Sequence, residues 1–253
     1  MRELFYKESV FKIVGDERDP YFLNVGLDPF YSKILGYLPE DAIVFDIGGN
    51  IGVTSLMAAS HNASVYAFEP SPKAFKWLTK NIANNPDFKV FPENVAVGAK
   101  NGHIGFFDNP HSASASHLSA DQTLGHEANI HVPVITIDDF VNEHTINRVD
   151  LIKIDVEGFE PDVLKGCTKT IERFKLACFV EFNSFTMISF RNINPRDMLS
   201  DIRETFPFVY EYRDGRLNQI KSDDEALGFI HDNLVVHGCV SDLYCCFDEI
   251  LDR

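Results

Sequence analysis

Five acids stand where apolar runs end. Asp46 follows "AIVF", Glu69 follows "SVYAF", Asp155 follows "LIKI" with Glu157 two residues on, and Glu181 follows "LACFV". Glu93 or Asn94 closes "FKVFP", and Asn183 stands two residues after Glu181. Short runs that are apolar throughout are strands buried on both faces. Ligands of such sheets bind outside the carboxyl ends of the strands, where these polar residues gather. The repetition therefore describes an acidic rim along one sheet edge. Carboxylates placed there can accept hydrogen bonds from hydroxyls, remove a proton or hold a cation.

The first strand end is "FDIGGNIG". Gly48 and Gly52 can take positive φ and let a ligand approach the backbone, and Asn50 tolerates the left-handed region. The helix that follows offers free N–H groups. Alone, the stretch reads equally as a glycine-rich turn or a ligand loop. It matches neither G-x-G-x-x-G nor the nucleotide P-loop. Glu69 lies 23 positions after Asp46, an offset at which an acid meets ribose hydroxyls. Together the two predict a nucleoside-containing cofactor.

Strand alternation in "LIKIDVEG" puts Lys153, Asp155 and Glu157 on one side. A lysine in an apolar run needs a partner, and Asp155 or Glu157 can supply it. The three form either a structural ion-pair cluster or the catalytic group. In the second case Asp155 and Glu157 align an acceptor hydroxyl and remove its proton. Glu181 and Asn183 point the same way and are candidate substrate contacts. With Asp155 they would make an oxygen-only set for Mg²⁺, although hydrogen bonding to substrate or lysine is the preferred reading. The stretch 108–133 is long and rich in Ser, Ala and His, the pattern of a lid or binding loop. Within it His117 or His126 is placed to reach the substrate. Phe185, Met187 and Phe190 in "FNSFTMISF" either wall the acceptor pocket or form a buried helix face.

Strands spaced by helix-length segments mean βαβ units and a parallel sheet covered on both faces. "FVYEY" and "NLVVHG" read as further strands, at least one of them antiparallel. Residues 1–40 predict a strand pair and a short helix. The 253 residues, 45% hydrophobic, are expected to form one domain: an N-terminal extension over 1–40, a cofactor-binding core over 41–185, and C-terminal strands with the substrate side over 186–253. A formal charge of −15 argues against nucleic acid, which needs a basic footprint. No apolar run suits membrane insertion and the first residues lack a secretory h-region, so a cytoplasmic location is expected. Five cysteines without a CxxC predict no disulfide framework. Nothing in the sequence speaks to oligomeric state.

"VFDIGGNIG", "VYAFEPSPKAFKWLTKNI", "NVAVGAKNG" and "VDLIKIDVEGFEPDVLKG" together resemble the FkbM family of S-adenosylmethionine-dependent methyltransferases, over about 42–183. The resemblance implies an α/β class I methyltransferase fold, Rossmann-like and three-layered, with a seven-stranded, mostly parallel sheet and one antiparallel strand. It implies S-adenosyl-L-methionine as cofactor. Asp46, Gly48, Gly49, Asn50 and Gly52 match the loop under its methionine part, with Asp155 close by. Glu69 and Pro70 match the ribose-binding turn, and Asn94 and Ala96 the segment beside adenine. Asn50 stands where other methyltransferase loops carry glycine, a form typical of this family. The implied activity is O-methylation of a hydroxyl on a sugar, glycan or polyketide-like small molecule. A nucleoside-binding module without catalysis is the non-enzyme alternative.

Overall fold

The computed structural model describes residues 1–109, the backbone of 117–118, and residues 127–250. Two strands, β1 (Arg2–Tyr6) and β2 (Ser9–Ile13), pair as an antiparallel hairpin. The short helices α1 (Pro20–Asn24) and α2 (Pro29–Leu35) follow. Each begins with proline after an aspartate whose carboxylate caps it, Asp19 for α1 and Asp28 for α2. The alternation then runs β3 (Ile43–Ile47), α3 (Val53–Ala59), β4 (Ser64–Phe68), α4 (Pro72–Asn84) and β5 (Val90–Glu93). After an inserted sheet it resumes with α5 (Ile137–Glu143), β10 (Leu151–Ile154), α6 (Glu160–Gly166), α7 (Thr168–Phe174) and β11 (Ala177–Asn183). The chain ends through α8 (Ser184–Arg191), α9 (Pro195–Thr205), β12 (Phe208–Arg213), β13 (Arg216–Gln219), α10 (Asp223–Val235) and β14 (Val240–Cys246).

The central sheet has the order β13-β12-β14-β11-β10-β3-β4-β5. Neighbours from β11 to β5 are parallel, as the uniformly apolar runs predict. The sheet has eight strands among the described residues, against the seven expected. β14 enters antiparallel to β11, and β13 is an added hairpin strand on β12. β13, "RLNQ", is polar and sits at the edge, so it lacks the apolar signature that marks the others. Pro92 does not break β5, because an edge strand has one side free of ladder bonds. "NLVV" is not a strand but the end of α10 and its cap. A Ser222/Glu225 capping box starts that helix, and its turns carry through Val235. The helical stretch between β10 and β11 divides at Cys167 into α6 and α7. Cys178 and Cys245 face each other across β11 and β14 as free, buried thiols.

A second, four-stranded sheet is ordered β6-β9-β7-β8: β6 (Ala96–Val97), β9 (Ile130–Ile135), β7 (Gly102–Phe107) and β8 (His117–Leu118). The sequence reading gives β7 no strand and treats 108–133 as loop. β7 and β9 each bury only part of their side chains, and Ala96, Phe106, Val132 and Val134 close with Phe159 into a cluster of their own.

Alternate residues of the central strands feed two cores. Phe45, Ile152, Val180 and Leu243 face one, with α5, α7 and α9 over it. Val44, Leu151, Phe179 and Tyr244 face the other, which also takes in Phe11, Ile13, Phe22, Phe30, Tyr31 and Ile34 from the N-terminal forty residues. That segment is bound by hydrogen bonds as well as burial. Asn81 of α4, fully buried, receives the Val14 N–H (2.7 Å) and donates to Val14 O and Ile51 O. Asn85 does the same for Lys12, receiving its N–H (2.9 Å) and donating to its carbonyl. Among the described residues no helix is long and apolar enough to cross a membrane.

Asn81→Ala leaves three buried or part-buried backbone groups without their side-chain partner. It should lower unfolding free energy by about 2–3 kcal/mol, read from urea denaturation; an unchanged midpoint would refute this account of how the N-terminal segment is held.

Candidate active site

The carboxyl ends of β3, β4, β10 and β11 open on one cavity. It is lined by Gly48, Asn50 and Thr54 from the β3–α3 turn, Glu69 and Pro70 after β4, and Lys153, Asp155, Val156, Glu157 and Glu181. Val95, Ala96, Val97, Phe68 and Phe106 make an apolar wall, and Tyr21 of α1 closes another side.

Lys153 is buried and stands beside Asp46 in the parallel register of β10 and β3. Its ammonium donates to Asp155 Oδ2 (3.0 Å), lies 3.6 Å from Asp46 Oδ1, and reaches the Gly48 carbonyl at 3.5 Å. Burial works against the Lys153 charge, but Asp155 and then Asp46 outweigh it and hold the ammonium above its ordinary pKa. Asp46 receives the hydroxyls of Thr54 (2.8 Å) and Ser55 (2.5 Å), which fixes the start of α3 against β3.

The turn between them is backbone-dictated. Gly48, Asn50 and Gly52 have φ of 86°, 49° and 92°. A Cβ on Gly48 would lie 1.8 Å from the Asp155 carbonyl, so no other residue fits. The Gly48 and Gly49 N–H groups donate to Phe68 O. Glu69 holds the same turn from below, receiving the N–H of Asn50 and of Ser71, each at 2.8 Å. Burial pushes its carboxyl up to about 7 despite those bonds.

Beyond Lys153 the acids outnumber the cations. Asp155, Glu157 and Glu181 each bring a carboxylate oxygen within 4.8 Å of the others. Glu157 sits at φ 56°, a left-handed conformation held by the turn it opens, where a Cβ on Gly158 would meet the Thr186 backbone at 3.1 Å. Glu160 ties that turn by receiving the N–H of Val156 (3.0 Å) and Gly158 (3.1 Å). Burial, then the Asp155 charge, pushes Glu157 up to about 8; the same causes hold Glu181 well above the carboxylate range. Burial also raises Asp242, opposite Glu181 in β14, to about 8.

Of the residues singled out from sequence, Gly48, Asn50, Glu69, Pro70, Ala96, Lys153, Asp155, Glu157 and Glu181 share this cavity. Asp46, Gly49 and Gly52 stand behind its wall and shape it. Asn94 is also behind it, its amide donating to Glu69 O (2.8 Å) and Pro70 O. Asn183 departs from the expected oxygen set: its Oδ1 receives the Thr186 N–H and caps α8. Glu157 joins Asp155 and Glu181 instead. The backbone of His117 pairs with Phe107 in β8; its side chain and all of His126 lie outside the described residues. Met187 is buried in the core and Phe185 is exposed, with its ring against Phe190; none of the three lines the cavity.

Tyr21, Thr54 and Phe106 are lining residues that sequence reasoning missed. Thr54 was legible as the first-turn hydroxyl after a glycine loop. Phe106 and Tyr21 arrive from the second sheet and the N-terminal segment, whose placement no local pattern encodes. Asn50 Oδ1 and Glu181 Oε2 are buried without hydrogen-bond partners, and both residues line the cavity. Orphaned acceptors beside the buried Glu69 carboxyl and an apolar wall fit a nucleoside carrying a cationic, donor-rich tail.

Sheet order, turn and strand-end acids together define a class I, Rossmann-like methyltransferase fold. The match to a family model for the methyltransferase FkbM domain over residues 46–214 is more particular: the chain belongs to the FkbM methyltransferase family. It is 33% identical over 133 residues to the hexuronic acid methyltransferase AglP of Haloferax volcanii, a match covering 53% of each chain. It is 25% identical to the 2-O-methyltransferase NoeI of Sinorhizobium fredii, covering 69% of this chain and 76% of NoeI. A crystal structure of an FkbM methyltransferase from Methylobacillus flagellatus superposes with a TM-score of 0.52 at 16% identity, over 85% of this chain and 47% of the other, and speaks to the fold alone. The chain thus matches about half the length of AglP.

A carboxyl whose folded pKa is raised is proton-bound in both states below its ordinary value near 4.5, and it destabilises the fold progressively as pH climbs through the folded value. Glu69, Glu157, Glu160 and Asp242, with folded values of about 7 to 8, all act in this direction. The ligand-free melting temperature should therefore fall between pH 5 and pH 8.5, and Glu157→Gln should flatten the fall. A melting temperature that rises over this range would show that these acids are ionised at little cost.

Proposed function

We propose that the chain is an S-adenosylmethionine-dependent O-methyltransferase whose acceptor is a hydroxyl of a sugar or glycan. The observation that carries this reading is the convergence, in one cavity, of the Gly48–Asn50 turn and Glu69 with Asp155, Glu157 and Glu181. The names of AglP and NoeI support a sugar acceptor. Glu69 would hold the ribose hydroxyls, and Val95, Ala96, Val97 and Phe106 would flank the base. When bound, the cofactor supplies a methyl group on a positively charged sulfur. The chain supplies orientation and proton removal.

Asp155 is paired with the Lys153 ammonium at 3.0 Å and offers the carboxylate that orients the acceptor hydroxyl. Glu157, pushed up to about 8 by burial and the Asp155 charge, is matched to take that hydroxyl's proton near neutral pH. Surplus carboxylate at the methyl end also favours a sulfonium cation over the neutral thioether left after transfer, which assists product release. A Mg²⁺-assisted version of the same reaction has one observation in its favour, the three oxygens of Asp155, Glu157 and Glu181 within 4.8 Å. They would hold the ion against the acceptor oxygen and lower its pKa.

Incubation with methyl-labelled S-adenosylmethionine and a panel of neutral, amino and uronic sugars should move label onto a sugar hydroxyl. Glu157→Gln should reduce kcat by about 100-fold while leaving donor affinity within a factor of about two. A protein that binds the donor and labels no sugar refutes the acceptor assignment. Full activity after EDTA treatment refutes the Mg²⁺ version.

A further inference from the structure

Tyr21 lines the donor cavity although it lies outside residues 46–214, the family segment. Its position is built. Asp19 caps α1 by receiving the Tyr21 N–H at 2.9 Å. The next residue, Phe22, is buried and packs so tightly on Gly15 that a Cβ there would lie 2.5 Å from its ring. Arg2 donates to the carbonyls of Phe22 and Leu23, closing the end of α1. Upstream, Asn81 ties Val14 to the Ile51 carbonyl, so the segment bearing Tyr21 and the turn under the donor are clamped by one side chain.

The cavity has a deficit of donors for an anion. Glu69, Asp155, Glu157 and Glu181 line it. The Lys153 ammonium donates to Asp155, reaches the Gly48 carbonyl and lies 3.6 Å from Asp46 Oδ1. The Thr54 hydroxyl is committed to Asp46 and the Asn50 N–H to Glu69. Among the described lining side chains, Tyr21 and the Asn50 amide keep donors not used within the chain. Yet the amino-acid tail of the proposed donor ends in a carboxylate, which cannot be buried unpaired. Lys153 is the largest single charge acting on the Tyr21 hydroxyl, ahead of Asp155, Asp46 and Glu69, which oppose it.

We propose that the Tyr21 hydroxyl positions the methyl donor by hydrogen-bonding its methionine carboxylate, making the N-terminal segment part of the donor site. This rests on the donor reading above. Burial pushes the phenol up to about 12, so it is a proton donor throughout the working range of pH. Tyr21 is a positioning residue: it fixes the tail, and through the tail the direction of the sulfur–methyl bond.

Titration calorimetry with S-adenosylhomocysteine and with methylthioadenosine, which lacks the amino-acid tail, tests this. Tyr21→Phe keeps the ring and its packing, and its melting curve should match that of the wild type. The expected result is a rise of about tenfold in Kd for S-adenosylhomocysteine and no change for methylthioadenosine. An unchanged Kd for S-adenosylhomocysteine, or equal losses for both ligands, would overturn the assignment while leaving the donor site intact. Wild-type protein that binds neither ligand would overturn the donor reading and this proposal together.

Discussion

One ammonium holds the site together. Lys153 projects from the middle of an apolar strand onto a face it shares with Asp46, its neighbour in register, and it reaches back from there to Asp155 and the Gly48 carbonyl. Desolvating an ion costs several kcal/mol, which only close opposite charges can offset. The pairing therefore constrains everything around it. Asp46 must stay buried beside the ammonium, and its second oxygen receives Thr54 and Ser55 and anchors α3. Asp155 must stay within reach of Lys153, so the end of β10 presses against the turn at Gly48, where no side chain fits. The glycine, the two acids and the lysine are one device, although they come from two βαβ units more than a hundred residues apart.

A single buried cation cannot balance the acids further out. Burial, with the Asp155 charge among the further causes, raises the carboxyls of Glu157, Glu181 and Asp242 above their ordinary range. The pocket is therefore set to favour cations and hydrogen-bond donors. A sulfonium answers the first need and a sugar hydroxyl the second. The same field is hostile to an unpaired carboxylate, which bears on how a donor with an amino-acid tail, or an acidic sugar, is accommodated.

Much of this was legible in the sequence because burial writes a strong signal. A strand covered on both faces must be apolar throughout, so "AIVF", "SVYAF", "LIKI" and "LACFV" declare the parallel sheet, and the acids that end them declare its functional edge. Lys153 within "LIKI" declares a partner for the same reason. The rest was illegible for equally physical causes. β13 is polar and β7 only partly buried, so neither carries a core pattern. "NLVV" is apolar enough for a strand, but the capping box eleven residues earlier had already committed it to a helix. Asn183 alternates correctly with Glu181, yet its oxygen is taken by the first turn of α8. Tyr21 and Phe106 reach the cavity through tertiary contacts that leave no periodic trace.

The central claim is that the cavity organised by Lys153 receives the methyl donor with its sulfur toward the acid cluster. A crystal structure of the chain with S-adenosylhomocysteine tests it most directly. The ribose hydroxyls should lie within hydrogen-bond distance of Glu69, with adenine against Ala96 and Phe106 and the sulfur facing Asp155. Adenine at the acid cluster, or a ligand outside this cavity, would contradict the account.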